Sequence, residues 1–254
     1  MRIGVLGPLE VVADGGPVDV GGFRLRALLI RLALDPGGMV TSRALAEALW
    51  PDGGPANPAP ALHSLVSRLR RALPGRDALR SEPAGYRLDL PGDSVDVTRF
   101  ERLAAQGHRA LRQGRPDAAL PALAGALALW RGEPLADAAA LPFAASAAVR
   151  LEELRLGALE DRIEAELATG HRPPGGVAEL EQLTAAHPLR ERLRALHLRT
   201  LAAHGRQAEA LAAFETYRRL LAAELGTDPG PDLRALHLHL LHGTPPTPSP
   251  PTPR

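Results

Sequence analysis

From residue 2 to residue 20 the apolar positions come in short runs: Ile3, Val5, Leu9, Val11 and Val12, then, beyond Asp14-Gly15-Gly16, Val18 and Val20. Branched residues on either side of a Gly-rich turn predict a small antiparallel sheet. The period then lengthens. "FRLRALLIRLALDPGG" sets Leu25, Leu28, Leu29 and Leu32 at helical spacing and stops at Asp35-Pro36-Gly37-Gly38. "TSRALAEALWPDGG" offers Thr41 or Ser42 as an N-cap, Leu45, Ala48 and Leu49 as an apolar face, and Pro51 as a stop. A third helix follows in "ANPAPALHSLVSRLRRALPG", with Asn57 placed to cap it and Pro58 and Pro60 in the first turn, where a missing N–H costs little. "LRSEPAGYRLDL" then alternates about Pro83-Ala84-Gly85, with Tyr86, Leu88 and Leu90 on one face and Arg87 and Asp89 on the other. It predicts a hairpin.

Beyond Pro91-Gly92 the pattern is helix after helix, from "VDVTRFERLAAQGHRALRQG" through the long "PFAASAAVRLEELRLGALEDRIEAELATG" to "PGPDLRALHLHLLHG". Such a run predicts paired antiparallel helices of the α-solenoid kind, and Ala210 with Phe214 matches half of the tetratricopeptide pattern. "GTPPTPSPPTPR" is too Pro-rich to pack and predicts a disordered tail. The chain therefore divides into 1–92, an α+β winged helix-turn-helix of sheet, three helices and hairpin; 93–243, an all-α tetratricopeptide-like helical-repeat domain; and 244–254, the tail.

The third helix carries the candidate chemistry. At about 100° per residue, Leu62, Leu65, Val66, Leu69, Ala72 and Leu73 share one arc. The opposite arc holds Asn57, Pro60, His63, Ser64, Ser67, Arg68, Arg70 and Arg71, and no acid. Guanidinium forks suit phosphates or guanine, and amides and hydroxyls suit base edges. An ordinary solvated helix mixes both signs, as "LEELRLGALEDRIEAEL" does further along.

Composition sharpens this in one respect. All 30 basic residues are arginine, because the sequence has no lysine, and the net charge is +1. Arginine count is therefore poor evidence for nucleic acid, and only the placement of charge informs. With no cysteine there is neither a disulfide nor a thiolate metal site, and a reducing cytoplasm is the expected compartment. The opening residues read as a strand and not as a leader, and the charge-free apolar stretch 138–149 contains Pro142 and is too short for a membrane span.

"RALLIRLALDPGGMVTSRALAEALW", "ALHSLVSRLRRAL" and "LRSEPAGYRL" resemble the OmpR-type winged helix of the Streptomyces antibiotic regulatory proteins (SARPs). "VDVTRFERLAAQG", "ALALWRGEPLAD", "HPLRERL" and "GRQAEALAAFETYRRLLAAELGTDPGPDLRALH" resemble their bacterial transcriptional activation domain. The resemblance implies a two-component-like effector fold in a cytoplasmic, nucleoid-associated activator of secondary-metabolite gene clusters. Its partners would be direct repeats in double-stranded promoter DNA, a second copy of the chain in a homodimer on DNA, and RNA polymerase holoenzyme. Carried over, Asn57, His63, Ser64, Ser67 and Arg68 face the major groove or its edge, while Arg70, Arg71 and the wing residue Arg87 contact phosphate or the minor groove.

Two departures stand out: Pro58 and Pro60 replace the family's polar first turn, and "RPPGG" at 172–176 shortens a helix of the second domain. Without lysine there is no P-loop, so the chain reads as the stand-alone short form.

No enzymatic role is implied. "LHLHLLH" supplies His237, His239 and His242 without a carboxylate or thiolate partner, no H-E-x-x-H or G-x-S-x-G occurs, and neither cofactor nor metal is expected. Trp50 and Trp130, at helix ends, read as core or rim anchors. A competing reading is a helical-repeat adaptor or regulator whose winged helix docks an acidic protein and not DNA.

Overall fold

The computed structural model describes residues 1–242, apart from the side chain of Arg76; the Pro-rich tail expected at 244–254 lies outside the described residues. Strands β1 (Arg2–Gly4), β2 (Glu10–Ala13) and β3 (Gly16–Pro17) form an antiparallel sheet in that order, with Ile3 opposite Val11 and Val12 opposite Pro17. Helix α1 (Phe23–Ala33) follows, then β4 (Met39–Thr41), α2 (Ser42–Leu49) and α3 (Pro58–Ala72). A hairpin of β5 (Leu79–Glu82) and β6 (Gly85–Leu88) joins β4 in a second antiparallel sheet of order β4-β6-β5. Of the two candidate caps for α2, Thr41 is the one used: its hydroxyl oxygen accepts from the Ala44 N–H at 3.1 Å.

The helices beyond are α4 (Asp96–Arg112), α5 (Pro116–Leu127), α6 (Pro142–Thr169), α7 (Gly176–Ala186), α8 (Glu191–Ala203), α9 (Gln207–Leu225) and α10 (Pro231–Leu241). The described chain separates into two compact units. One comprises Met1–Ala105 with Ala124–Gly157, and the other comprises Gln106–Leu123 with the chain from Ala158 onward. The first unit is thus larger than the 1–92 segment read from the pattern.

The reason lies in α1 and the first sheet. Periodicity predicts one apolar stripe on α1, yet Ala27, Ile30 and Ala33 are buried along with Leu25, Leu28, Leu29 and Leu32. One side packs on α2, α3 and β6, and another is covered by the helical turn Ala136–Ala138. Two carboxylates secure the added segments. Asp96, opening α4, accepts from the backbone N–H groups of Val5 at 2.8 Å and Leu6 at 3.0 Å, while Ile3 bridges Val95 in parallel. Asp137 accepts from the Leu9 N–H at 2.6 Å and from the Arg26 guanidinium at 2.7 Å. Backbone donors of the connection between β1 and β2 are thereby satisfied from segments far away in sequence.

In the second unit, α7 packs on α8, α8 on α9, and α10 on both α8 and α9. Ala210 and Phe214, the tetratricopeptide-like pair, are buried with Leu198, Leu201, Tyr217, Leu221, Leu233 and Leu240. Each such leucine contributes about 1.5–3 kcal/mol relative to exposure. His237 stacks on Phe214 with ring centroids 3.8 Å apart, which gives one member of the histidine cluster a packing role. The segment around "RPPGG" is a loop from Gly170 that ends where α7 begins at Gly176. Glu160, 2% exposed, accepts from Arg190 at 2.7 Å and pairs with Arg192, which also reaches Asp161 at 2.6 Å and Glu164 at 2.7 Å. Asp161 is in addition 2.8 Å from His108. Among the described residues no group of three His, Cys, Asp or Glu side chains could hold a metal ion, and no helix is long and apolar enough to cross a membrane.

Candidate nucleic-acid interface

Helix α3 is anchored by Leu62, Leu65, Val66 and Leu69, all buried at the spacing that the sequence pattern predicts. Pro58 supplies a preset φ at its first position, and Arg70 and Arg71 fall in the last turn, where positive charge complements the helix dipole. The face turned away from the core exposes Asn57, Pro60, His63, Ser64, Ser67, Arg68 and Arg71. No acid lies on it. Asn57 occupies the N-cap position, but its side chain makes no capping hydrogen bond, contrary to the expectation. Pro60, at the third helical position, lacks one of the two N–H groups that a cap would satisfy, and the Asn57 amide makes no bond to the other, that of Ala59.

The four arginines expected to contact DNA divide into two pairs. Arg68 has no hydrogen-bond or ion-pair partner among the described residues, and Arg71 makes only a long contact, 3.4 Å from Nε to the Ser67 carbonyl of its own helix. Arg70 is used differently. Its Nε donates to the Leu79 carbonyl at 2.9 Å and its Nη2 to the Ser81 hydroxyl at 2.8 Å, so it ties α3 to β5. Arg87 is likewise committed: it pairs with Glu82 at 2.8 Å, and its Nε is buried without a partner. Both, expected from the resemblance as phosphate or minor-groove contacts, are half-buried and engaged within the protein.

The hairpin register explains this. Arg87 stands directly opposite Arg80, and Glu82 opposite Gly85. Two guanidiniums face to face repel, and each is relieved by the carboxylate on its diagonal, Glu82 for Arg87 and Asp89 for Arg80, the latter at 2.9 Å. Arg87 and Asp89 do share the face that the alternation predicts. What the alternation misses is the diagonal partner two positions along the other strand, although a two-residue turn at Pro83-Ala84 would have fixed that register. Ser81 and Glu82 are therefore supporting residues of the site that sequence reasoning did not single out.

Residues 95–241 match the bacterial transcriptional activator domain. Regulatory protein DnrI of Streptomyces peucetius is 37% identical over 255 residues, covering 96% of this chain and 93% of that protein. The chain belongs to the Streptomyces antibiotic regulatory protein family. Among other SARP-like relatives, regulatory protein AfsR of Streptomyces coelicolor is 42% identical over 96% of this chain, which spans only 24% of AfsR. Transcriptional regulatory protein EmbR of Mycobacterium tuberculosis is 38% identical over 96% of this chain, which spans 64% of EmbR. A solved structure of EmbR in complex with a low-affinity phosphopeptide superposes with a TM-score of 0.90 at 37% identity, covering 97% of this chain and 66% of that one. These relatives carry the names of regulatory or transcriptional regulatory proteins.

Proposed function

We propose that the chain is a sequence-specific DNA-binding transcriptional activator, with residues 1–92 as a winged helix-turn-helix that lays α3 in the major groove and uses the β5–β6 hairpin as its wing. The observation that carries this reading is the acid-free outer face of α3, with Arg68 and Arg71 free of acidic partners while the hairpin's arginines are neutralised by Glu82 and Asp89. Guanidiniums without an acidic partner on the outer face of α3, against paired ones on the hairpin, direct phosphate contacts to that helix. Asn57, His63, Ser64 and Ser67 lie alongside and supply groups for base edges. Arg70 and Arg87 act as positioning residues that hold the wing against the helix and keep its strands in register.

Residues 93–243 serve as the activation domain, with RNA polymerase holoenzyme as partner and a secondary-metabolite gene cluster as the target. Two copies bind direct repeats head to tail, with half-sites about one helical turn, roughly 10–11 base pairs, apart. The test is binding to promoter fragments at rising salt. Each phosphate contact contributes about 0.9 to the log–log slope, so Arg68→Gln and Arg71→Gln each lower it by about that amount. Arg80→Gln, whose guanidinium is already held by Asp89, leaves it unchanged. Salt-insensitive binding, or equal slopes in all three variants, overturns the proposal.

A further inference from the structure

We infer that the first turn of α3 selects thymine by its 5-methyl group, so that the bound duplex carries an A·T pair where that turn meets the base edges. The inference rests on the DNA-binding reading above and names what that helix reads. In helix-turn-helix docking the N-terminal residues of the recognition helix reach the base edges, while the preceding helix of the motif crosses the backbone. Here the corresponding residues, Ala56, Asn57, Pro58, Ala59 and Pro60, are all exposed, and Asn57 alone among them has a polar side chain. At about 100° per residue Pro60 lies within roughly 40° of Ser64, Ser67 and Arg71, in the middle of the outward face. Pro58 and Pro60 also lack N–H groups, so the backbone of this turn has few donors for a base edge.

An apolar surface at this place discriminates by what it leaves unpaired. The amino and carbonyl edges of every base pair lose their water against a pyrrolidine ring and gain no hydrogen bond in return. The thymine methyl is the one group in the major groove that gains from an apolar neighbour. Asn57 completes the pair: its amide makes no capping bond, and an asparagine amide matches adenine N6 and N7 in a bidentate contact. The outer face of α3 thus grades from methyl-reading Pro60, through Ser64 and Ser67, to Arg68 and Arg71 on the phosphates.

The experiment selects binding sequences for the full chain from randomised duplexes, then replaces single thymines of the selected duplex by deoxyuridine, which removes the methyl and nothing else. One thymine at the end of each half-site facing the first turn should weaken binding about fourfold when replaced, the effect of withdrawing one buried methyl. Pro60→Asn, which adds no charge, should abolish the difference between thymine and uracil while leaving the salt slope intact; circular dichroism checks that α3 is retained. A selected duplex in which no uracil substitution changes affinity overturns the inference and leaves the DNA-binding reading standing. Failure to enrich any duplex overturns both.

Discussion

Removing the Asp96 carboxylate tests how the first unit is closed. Asp96 accepts from the Val5 N–H at 2.8 and 2.9 Å through its two oxygens and from the Leu6 N–H at 3.0 Å, and Arg131 lies 3.2 Å away. Val5 and Leu6 are 0% exposed, so Asp96→Ala leaves two donors with no route to water. An orphaned buried donor costs about 1–3 kcal/mol, which puts Asp96→Ala at about 4 kcal/mol. That is a large share of the roughly 5–15 kcal/mol of an ordinary domain. Asp96→Asn keeps one acceptor oxygen, which in the Oδ2 position still receives both N–H groups, but it exchanges the other oxygen for an NH2 group and removes the charge facing Arg131, a smaller cost of about 1–2 kcal/mol. Both tryptophans, Trp50 and Trp130, lie in this unit, so urea unfolding followed by tryptophan fluorescence reports on it directly. The midpoint should fall strongly for Asp96→Ala and modestly for Asp96→Asn. An alanine variant within about 1 kcal/mol of the parent, or an asparagine variant equal to the alanine one, refutes the account.

Three further outcomes follow from other contacts. Arg70→Gln breaks the link from α3 to Leu79 and Ser81, so it should weaken DNA binding and cost about 1 kcal/mol of stability without changing the salt slope; a slope reduced by about 0.9 would show a direct phosphate contact instead. Gly85→Ala places a methyl against the Val40 carbonyl oxygen in the neighbouring strand, which cannot retreat without breaking the sheet. A loss of about 3 kcal/mol and faster hydrogen exchange along β4 and β6 are expected, and unchanged exchange would contradict the packing.

His197 sits buried in α8 with neither ring nitrogen partnered among the described residues, and its pKa is held below the ordinary 6.5, chiefly by burial, with Glu181 opposing the effect and Arg194 and Arg206 adding to it. The unfolded chain therefore binds the proton more readily. The contribution to stability is present above about pH 6.5 and is lost as pH falls below it. His197→Leu should flatten thermal stability, followed by circular dichroism, across that window, and an undiminished acid slope in this variant would assign it to other groups.

The elements were legible because their signals are local: the helical period in α1 and α3, the stop at Asp35-Pro36, and the alternation about Pro83-Ala84 each depend on neighbours in sequence. The extent of the first unit was not, because the groups that close it, Asp96 and Asp137, meet their partners at separations of 91 and 128 residues. A carboxylate bound to backbone N–H groups that far off leaves no periodic trace. The same reasoning separates the arginines of the candidate interface. Arg68, Arg70, Arg71 and Arg87 are equivalent in composition and share an acid-free or alternating context in the sequence. Arg70 is taken by the carbonyl of Leu79, which belongs to the backbone and carries no residue signature, and Arg87 by Glu82, which lies on a diagonal that only the strand register reveals. In a chain whose 30 cations are all arginine, the cations open to an external anion are those that internal acids and carbonyls leave unclaimed. By that criterion the free charge in this region concentrates on Arg68 and Arg71, one turn of helix apart in the second half of α3, and under the proposed DNA-binding role the base-reading burden falls on the uncharged turn that opens the helix.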